Sequence, residues 1–187
     1  MIEYKKINIA DSEYPEKLRA IKDPPRNIYT VGNIELLKED SISVVGTRHI
    51  TDYGKRYGKM ICREISARDI PIVSGMAIGA DSLAHKVALE YSGKTIAVLP
   101  SGFENIFPKQ NIKLFNEIVK KGGLAVSEYE PNISASSEKF LERNRIVAGL
   151  GVGLFVIEAL FRSGTSVTAK IAKEQGKDVF ALPRKLR

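Results

Sequence analysis

From Ser41 onward, short apolar runs alternate with longer segments whose apolar residues recur at helical spacing. The apolar runs are 42–45, 70–73, 95–99, 124–127, 152–157 and 178–181, and the helical segments are 52–68, 81–91, 110–121, 137–148 and 165–175. Continuously apolar strands joined by amphipathic helices are typical of a parallel sheet that is buried on both faces. The alternation therefore predicts an α/β fold with a doubly wound, Rossmann-like, mainly parallel sheet and helices on both faces.

The first 40 residues have a different pattern. Tyr14-Pro15, Asp23-Pro24-Pro25 and Gly32 follow one another too closely for long helices to form between them. We expect a short helix near 15–20 and a strand near 27–31. The sequence thus predicts two parts, a small N-terminal cap or extension over 1–40 and a Rossmann-like domain over 41–187.

Charge and cysteine content restrict the partners and the chemistry. The net charge of +7 favours anionic partners such as nucleic acid, although a merely basic protein would have the same composition. With one cysteine, Cys62, and two histidines, His49 and His85, a disulfide, a His/Cys metal site or a Cys-His pair lacks partners. Because no apolar stretch approaches the roughly twenty residues of a membrane span and the start does not resemble a signal peptide, we expect a cytosolic protein without membrane contact. We expect neither a metal nor a cofactor.

Glycines, hydroxyls and cations gather where the predicted strands end. In a doubly wound sheet, ligands bind at the carboxyl ends of the strands, where glycines permit close backbone approach and helix N-termini attract phosphate. Any one of these loops could be an ordinary turn, but four of them fall on the same edge. The residues that we predict to contact phosphate or DNA are Gly46, Thr47, Arg48, Ser74, Gly75, Ala77, Gly79, Gly102, Lys109, Asn111, Phe140, Arg143, Asn144, Arg145, Ser163, Gly164 and Thr165.

The turn after the first of these strands is not a dinucleotide fingerprint. Gly46 is followed by Thr47-Arg48-His49-Ile50-Thr51, so the second and third glycines of G-x-G-x-x-G are missing. No Walker lysine motif occurs either. Arg48 instead offers phosphate a fixed cation with two parallel donors, unless it is engaged in a salt bridge.

Several polar residues allow more than one role. Asp81 and His85 lie four apart at the start of a predicted helix and share one face, where we favour capping and loop support over catalysis. No residue is therefore assigned a catalytic role. Arg143 and Arg145 point to different sides of their helix, so at most one of them is expected to face the same ligand. Phe140 could stack on a nucleobase or belong to the core.

The order of these motifs resembles the DprA (Smf) family of bacterial DNA-processing proteins. The R-N-R-I block at 143–146 and the S-G-x-x-x-G-x-D block at 74–81 are the most specific, and the resemblance runs from residue 14 to about residue 183. The other matching strings are Tyr14-Pro15, Asp23-Pro24-Pro25, Val45-Gly46-Thr47-Arg48, Tyr53-Gly54, Ala84-His85, Ala88-Leu89, Phe107-Pro108, Asn111, Ser127-Glu128, Phe140-Leu141-Glu142, Ser163-Gly164-Thr165 and Thr168-Ala169.

The resemblance implies an extended Rossmann fold and a protein that binds and protects incoming single-stranded DNA. It also implies homodimerisation and loading of the RecA recombinase during natural transformation. Carried over to this sequence, it assigns phosphate binding to Arg48, close backbone approach to Gly75, Ala77 and Gly79, and further positive charge to Lys109 and Arg143.

The sequence departs from the family pattern at several positions. Ala80 stands between Gly79 and Asp81 where Ile or Val is usual, Gly151 replaces a serine, and Arg184 replaces the glycine after Pro183. The sequence to residue 187 contains no counterpart of the C-terminal winged-helix domain of many members, and 1–40 is expected to be at most a remnant of the N-terminal helical domain of longer members. These departures concern partner contacts more than the pocket.

Two other functions are open at this point. A related enzyme group, the lysine-decarboxylase-like LOG proteins, cleaves nucleoside monophosphates with a P-G-G-x-G-T-x-x-E motif. In the aligned stretch 160–168 only Gly164-Thr165 matches, and Thr168 stands where the catalytic glutamate belongs. A nucleotide sensor using the same pocket is the second alternative, because fold alone does not decide function.

Overall fold

The computed structural model of the chain describes residues 2–183, in which strands and helices alternate almost throughout. The strands are β1 (Lys5–Asn8), β2 (Asn27–Gly32), β3 (Ile42–Val45), β4 (Ile72–Ser74), β5 (Thr95–Val98), β6 (Leu124–Ser127), β7 (Gly153–Val156) and β8 (Asp178–Ala181). The helices are α1 (Glu16–Arg19), α2 (Asp52–Ala67), α3 (Ala80–Tyr91), α4 (Ile112–Lys120), α5 (Ser137–Leu150) and α6 (Gly164–Glu174). Short 3-10 turns cover Ile34–Leu37, Phe103–Asn105 and Lys109–Asn111.

The described strands form one sheet in the order β1-β2-β6-β5-β4-β3-β7-β8. From β3 to β8 every pairing is parallel, which confirms the predicted α/β fold with its parallel core. Helices α2, α3 and α4 pack together on one face, whereas α1, α5 and α6 pack on the other. The central strands are therefore buried on both sides, and this burial explains why they read as uninterrupted apolar runs.

The N-terminal residues extend this sheet. Strands β1 and β2 are antiparallel, and β2 pairs antiparallel with β6, so that Tyr29 lies opposite Ser127. Tyr14 and Leu18 belong to the same apolar cluster as Ile96 on β5. The boundary predicted at residue 40 thus lies between β2 and β3, two strands of one sheet. Residues 184–187, which include Arg184 and end the second predicted part, lie outside the described residues.

The chain reverses its direction across the sheet at β3. From β3 it proceeds through β4 and β5 to β6, and then returns across β3 to build β7 and β8 on the other side. The carboxyl ends of β3 and β7 are therefore the topological switch point, where a doubly wound sheet has its ligand crevice. None of the helices between residues 2 and 183 has the length and apolar character needed to cross a bilayer.

Candidate nucleic-acid interface

The turn after β3 is held firmly at the switch point. The Thr47 N–H donates to the Glu158 carbonyl just after β7 (2.8 Å), and the Thr47 carbonyl accepts from the Ala80 N–H at the start of α3 (3.1 Å). Gly79 has a φ of +83°, and a Cβ there would lie 2.5 Å from the Thr47 oxygen, so the close approach needs glycine. The loops after β3, β4 and β7 therefore form one connected surface, as the sequence predicted for this edge.

Arg48 projects from this surface. Its side chain is exposed, and its guanidinium carbon lies 5.4 Å from the centre of the Phe140 ring, a cation–π distance. It takes part in no ion pair with a described carboxylate, so the salt bridge that could have occupied it is not formed. The ion-paired arginines of residues 2–183 are Arg19, Arg63, Arg68 and Arg145.

An aromatic pair stands beside Arg48. Phe107 packs edge-on against Phe140, with ring centres 5.5 Å apart and an interplanar angle of 77°. Phe107 is 43% exposed and Phe140 is half-buried, so Phe140 is not a residue of the apolar core. Phe107 was not among the predicted site residues, although it precedes the predicted Lys109, which is exposed.

Asp81 organises the loop between β4 and α3 from inside. Gly79 occupies the cap position of α3, so Asp81 lies in the first turn of the helix and the predicted capping role is wrong in this respect. Its carboxylate accepts the Ala77 N–H (3.2 Å). Burial raises the pKa of Asp81 to about 6, against the effects of Arg143, of the Ala77 and Gly75 N–H groups and of the Ser74 hydroxyl. The loop amides that were predicted to meet phosphate thus hold an internal carboxylate.

Arg143 lies beneath this loop and not at the surface. The side chain is 4% exposed, and one terminal nitrogen donates to the Gly75 and Val98 carbonyls. Burial lowers the pKa of Arg143 to about 10, although the charge of Asp81 opposes the shift. The structure therefore places Arg143, predicted as a DNA contact, in the framework under the site.

The other two residues of the R-N-R block differ in their surroundings. Arg145 donates to both carboxylate oxygens of Glu128 (2.8 and 2.7 Å) and to Asp23 (3.2 Å), on the side of α5 that faces α1. Asn144 is 9% exposed, and among residues 2–183 its side-chain amide has no hydrogen-bond partner. It lies four residues after Phe140 and therefore on the same face of α5.

His85 is fixed by a strand and not by Asp81. Its Nδ1 lies 2.7 Å from the Thr95 hydroxyl, which donates its own hydrogen to the Ile72 carbonyl (2.8 Å). The hydroxyl must therefore accept from Nδ1–H, and Nε2 is left buried without a partner in the described residues. Burial, assisted by Arg143, lowers the pKa of His85 to about 3, so the ring is a neutral structural group.

Three further predicted residues support the loops. The buried Ser74 hydroxyl donates to the Val44 carbonyl (2.6 Å), and the Gly102 N–H donates to the Ile133 carbonyl (2.8 Å). The Asn111 amide donates to the Met76 carbonyl (2.7 Å) and to the Ser82 hydroxyl (2.9 Å). Their polar groups are used within the protein, so the structure does not bring them to the surface beside Arg48.

The N-terminus of α6 is more accessible to solvent than the three loop-supporting residues described above. Ser163 and Ser166 cap each other's N–H groups at 3.3 and 2.8 Å, and Gly164 is exposed with nothing within 4 Å of a Cβ placed there. Thr165 is half-buried. Thr168 is buried, and its hydroxyl donates to the Gly164 carbonyl (3.0 Å). The predicted residues 163–165 thus lie at an accessible helix N-terminus.

A carboxylate that the sequence did not single out fills the N-terminus of α2. Glu158 accepts the Thr51 N–H (2.9 Å) and the Thr51 hydroxyl (2.6 Å) at the cap of that helix. The first helix after the switch-point strand is the place where a dinucleotide fold holds its pyrophosphate. Here the anion at this place is a side chain of the protein. In the described residues no three His, Cys, Asp or Glu side chains are grouped as metal ligands.

A family model and several curated proteins match most of this chain. The family model for DNA recombination-mediator protein A matches residues 5–187. The chain is 42% identical over 175 residues to Protein Smf of Escherichia coli, covering 93% of this chain and 47% of that protein.

Two solved structures are similar over nearly the whole chain. DNA processing protein A of Streptococcus pneumoniae is 38% identical with a TM-score of 0.92, over 98% of this chain and 64% of that one. DNA processing protein A of Helicobacter pylori, whose structure gave insight into its single-stranded DNA binding mode, is 33% identical with a TM-score of 0.91, over 100% and 83%. The chain spans about half the length of the curated relatives it matches, such as the Escherichia coli and Synechocystis Smf proteins.

Proposed function

The chain belongs to the DNA recombination-mediator protein A family, and from this premise we propose that it binds single-stranded DNA at the carboxyl edge of its sheet. The observation that carries the proposal is the contact between Arg48 and Phe140, which puts an arginine outside any described ion pair beside a half-buried ring and its exposed neighbour Phe107. Single-stranded DNA is held by this combination, since bases stack on rings while phosphates meet cations. Lys109 adds a further exposed charge beside Phe107.

Carboxylates near the starts of α2 and α3 weaken the case for a free nucleotide at these two places, whereas the start of α6 is accessible. A nucleotide phosphate is usually held by backbone N–H groups at a helix start. At α3 the Ala77 N–H is taken by Asp81, and at α2 the Thr51 N–H is taken by Glu158. These contacts count against binding of a nucleotide phosphate at both places. They do not prevent a base from stacking on Phe107 or Phe140, or a DNA phosphate from binding Arg48.

We also propose that the site binds DNA without cleaving or modifying it. The LOG-like alternative needs a carboxylate near the nucleotide to stabilise the leaving group or the oxocarbenium ion. The corresponding residue is Thr168, whose buried hydroxyl is already bonded within α6. This position therefore offers a substrate no acid or base.

Titration of a fluorescent oligo-dT strand, with duplex DNA and AMP as competitors, tests the function. We expect the single strand to bind most tightly, and its affinity to fall with salt by a logarithmic slope of about −0.7 per phosphate contact. Release of adenine from AMP would favour the LOG-like alternative. Tighter binding of AMP than of the strand would favour the nucleotide sensor.

The cellular role is a further part of this proposal. We propose that the protein protects incoming single-stranded DNA in natural transformation, acts in the cytosol, and loads RecA onto the strand. The support is the recombination-mediator family and the DNA-processing names of its relatives.

We also propose that the protein forms a homodimer. The observation that supports it is β8, which among residues 2–183 pairs with β7 alone and leaves Phe180 62% exposed. A second copy could cover this edge. Light scattering of Phe180→Glu and of the wild type tests the dimer, and a wild-type monomer would contradict it.

A further inference from the structure

Three exposed arginines lie over aromatic rings and outside the ion pairs of residues 2–183. In each couple the guanidinium carbon is close enough to the ring centre for a cation–π contact. The couples are Arg48 with Phe140 (5.4 Å), Arg162 with Phe161 (5.3 Å) and Arg56 with Tyr57 (5.6 Å). Only the first belongs to the interface described above, so the other two have no assigned use.

The three couples follow the order of the strands. Arg48 comes directly after β3, and Phe161 lies in the loop after β7. Tyr57 stacks on Tyr53 at a centroid distance of 4.6 Å, and the Tyr53 hydroxyl donates to the carbonyl of Pro183, just after β8 (2.9 Å). Because β3, β7 and β8 are consecutive neighbours in the sheet, the first two couples follow its carboxyl edge, and the third, on α2, is linked to the end of β8 through Tyr53.

The middle couple is unusually accessible. The Phe161 side chain is 89% exposed, more than any other large apolar side chain in residues 2–183. Arg162 has a φ of +55°, in the left-handed region that residues other than glycine rarely adopt. Such conformations concentrate at functional sites, where the surrounding structure maintains them. The loop after β7 therefore presents a ring and a cation together to the solvent.

Along this edge, exposed carboxylates that are free of ion pairs within residues 2–183 are distributed unevenly on the two sides of β3. The exposed Glu104 and Glu130 follow β5 and β6, on the other side of β3. Near the new couples, Asp52 is paired with Lys55 (3.1 Å) and Glu158 is bonded to Thr51. A polyanion that leaves Arg48 therefore meets unpaired arginines toward β8, whereas toward β6 the cation Lys109 is accompanied by the free carboxylates Glu104 and Glu130.

We propose that a bound single strand continues from Arg48 and Phe140 over Phe161 and Arg162, and then over Tyr57 and Arg56, toward β8. This inference rests on the proposed function and adds the path of the strand beyond its first contact. Each couple supplies the two groups that single-stranded DNA uses, a π-face for a base and a cation for a phosphate. The proposed ligand is therefore a single strand long enough to extend beyond the couple of Arg48 and Phe140.

The path is tested with labelled oligo-dT of two lengths, about 5 and about 15 nucleotides, within the range of known single-strand site sizes. Phe161→Ala should weaken binding of the long strand roughly fivefold or more and leave the short strand unchanged. Arg56→Ala should weaken the long strand and reduce its salt slope by about 0.7. All substituted side chains are exposed, and equal thermal unfolding of the variants verifies their folding.

Two matched variants serve as controls. Leu160→Ala removes a 70% exposed apolar side chain beside Phe161 that has no π-face. Arg63→Ala removes an exposed arginine of α2 that is paired with Glu64. Both variants should bind the long strand like the wild type.

Crosslinking gives a direct test of the path. A long strand that contains 5-iodouracil should crosslink to the loop that contains Phe161.

The binding results distinguish failure of the proposed path from failure of the proposed function. If Phe161→Ala binds the long strand as Leu160→Ala does, or weakens both lengths equally, the path is overturned while strand binding stands. If the wild type binds neither length, the proposed function itself fails and the path fails with it.

Discussion

The guanidinium of Arg143 lies directly against Gly75. A Cβ on Gly75 would be 2.7 Å from each of its terminal nitrogens, closer than a methyl group can approach. The same guanidinium donates to the Gly75 carbonyl, so loop and arginine are fitted to each other. Because the loop after β4 borders the candidate interface through Gly79, the position of the buried arginine helps to determine the shape of that border.

Gly75→Ala should destabilise the protein by about 1–3 kcal/mol, because the buried Arg143 must give up its hydrogen bonds to the Gly75 and Val98 carbonyls to make room for the methyl group. The free energy of unfolding from denaturant titration measures this loss. Gly164→Ala is the matched control, since a Cβ there meets nothing within 4 Å. That variant should be within about 1 kcal/mol of the wild type, with a gain expected from helix propensity. Equal stability of the two variants would contradict the fit between Gly75 and Arg143.

Arg48→Ala should weaken binding of oligo-dT several-fold and reduce its salt slope by about 0.7, because one cation leaves the interface. Its unfolding should be unchanged, since the side chain is exposed and in no ion pair. Anisotropy titrations at several salt concentrations measure both quantities. Arg68→Ala removes an exposed arginine paired with Glu64 and serves as the control. Wild-type affinity of Arg48→Ala would remove this residue from the interface.

Phe140→Ala and Phe107→Ala should each weaken oligo-dT binding by about 1–3 kcal/mol, the usual loss when a base loses its stacking partner. Because the two rings touch, the double variant should lose less than the sum of the single losses. Tyr91→Ala, at the far end of α3 and 49% exposed, is the aromatic control. If all three single variants bind alike, the aromatic pair makes no contact with DNA.

The buried His85 and Asp81 should give opposite pH dependences of stability. The pKa of His85 falls on folding from 6.5 to about 3, so its contribution is present above pH 6.5 and is lost as the pH falls toward 3. The pKa of Asp81 rises from 3.8 to about 6, so its contribution is present below pH 3.8 and is lost as the pH rises through 6. Between about pH 4 and 6 the two slopes cancel in the wild type.

Substitution of each group separates these slopes. Relative to the wild type, His85→Gln should gain about 1.4 kcal/mol in unfolding free energy per unit of pH decrease between pH 6 and 4. Asp81→Asn should lose a similar amount over the same interval. Urea titrations at four pH values measure the unfolding free energy of each variant minus that of the wild type. The other carboxylates contribute equally to both proteins, so their contribution is removed by the subtraction. Parallel curves for the two variants would contradict the assignment.

The core of the fold could be predicted from sequence because its strands are buried on both faces. The parallel strands β3 to β7 are apolar runs, whereas β8 is a largely exposed edge strand, and the helices between the strands have apolar residues at helical spacing. Strand β1 could not be found in this way, since only Ile7 of Lys5–Asn8 is buried and the strand is defined by backbone pairing with β2.

The site could be predicted as an edge of the sheet but not residue by residue. Arg48 follows β3 and Ser74 is the last residue of β4, yet one projects into solvent and the other bonds inside the protein. A polar residue at a strand end has the same sequence pattern in both cases. Glu158 gave no signal at all, because its partner Thr51 is 107 residues away and no spacing links them.

The two carboxylates at the helix starts have a consequence for how such a site works in a cell. Free nucleotides are abundant there and compete wherever a protein offers backbone amides to a phosphate. Asp81 and Glu158 accept the Ala77 and Thr51 N–H groups, and as side chains of the same protein they are always present to compete with a nucleotide phosphate for these two donors. A strand bound through rings and arginines, as proposed, would need neither donor.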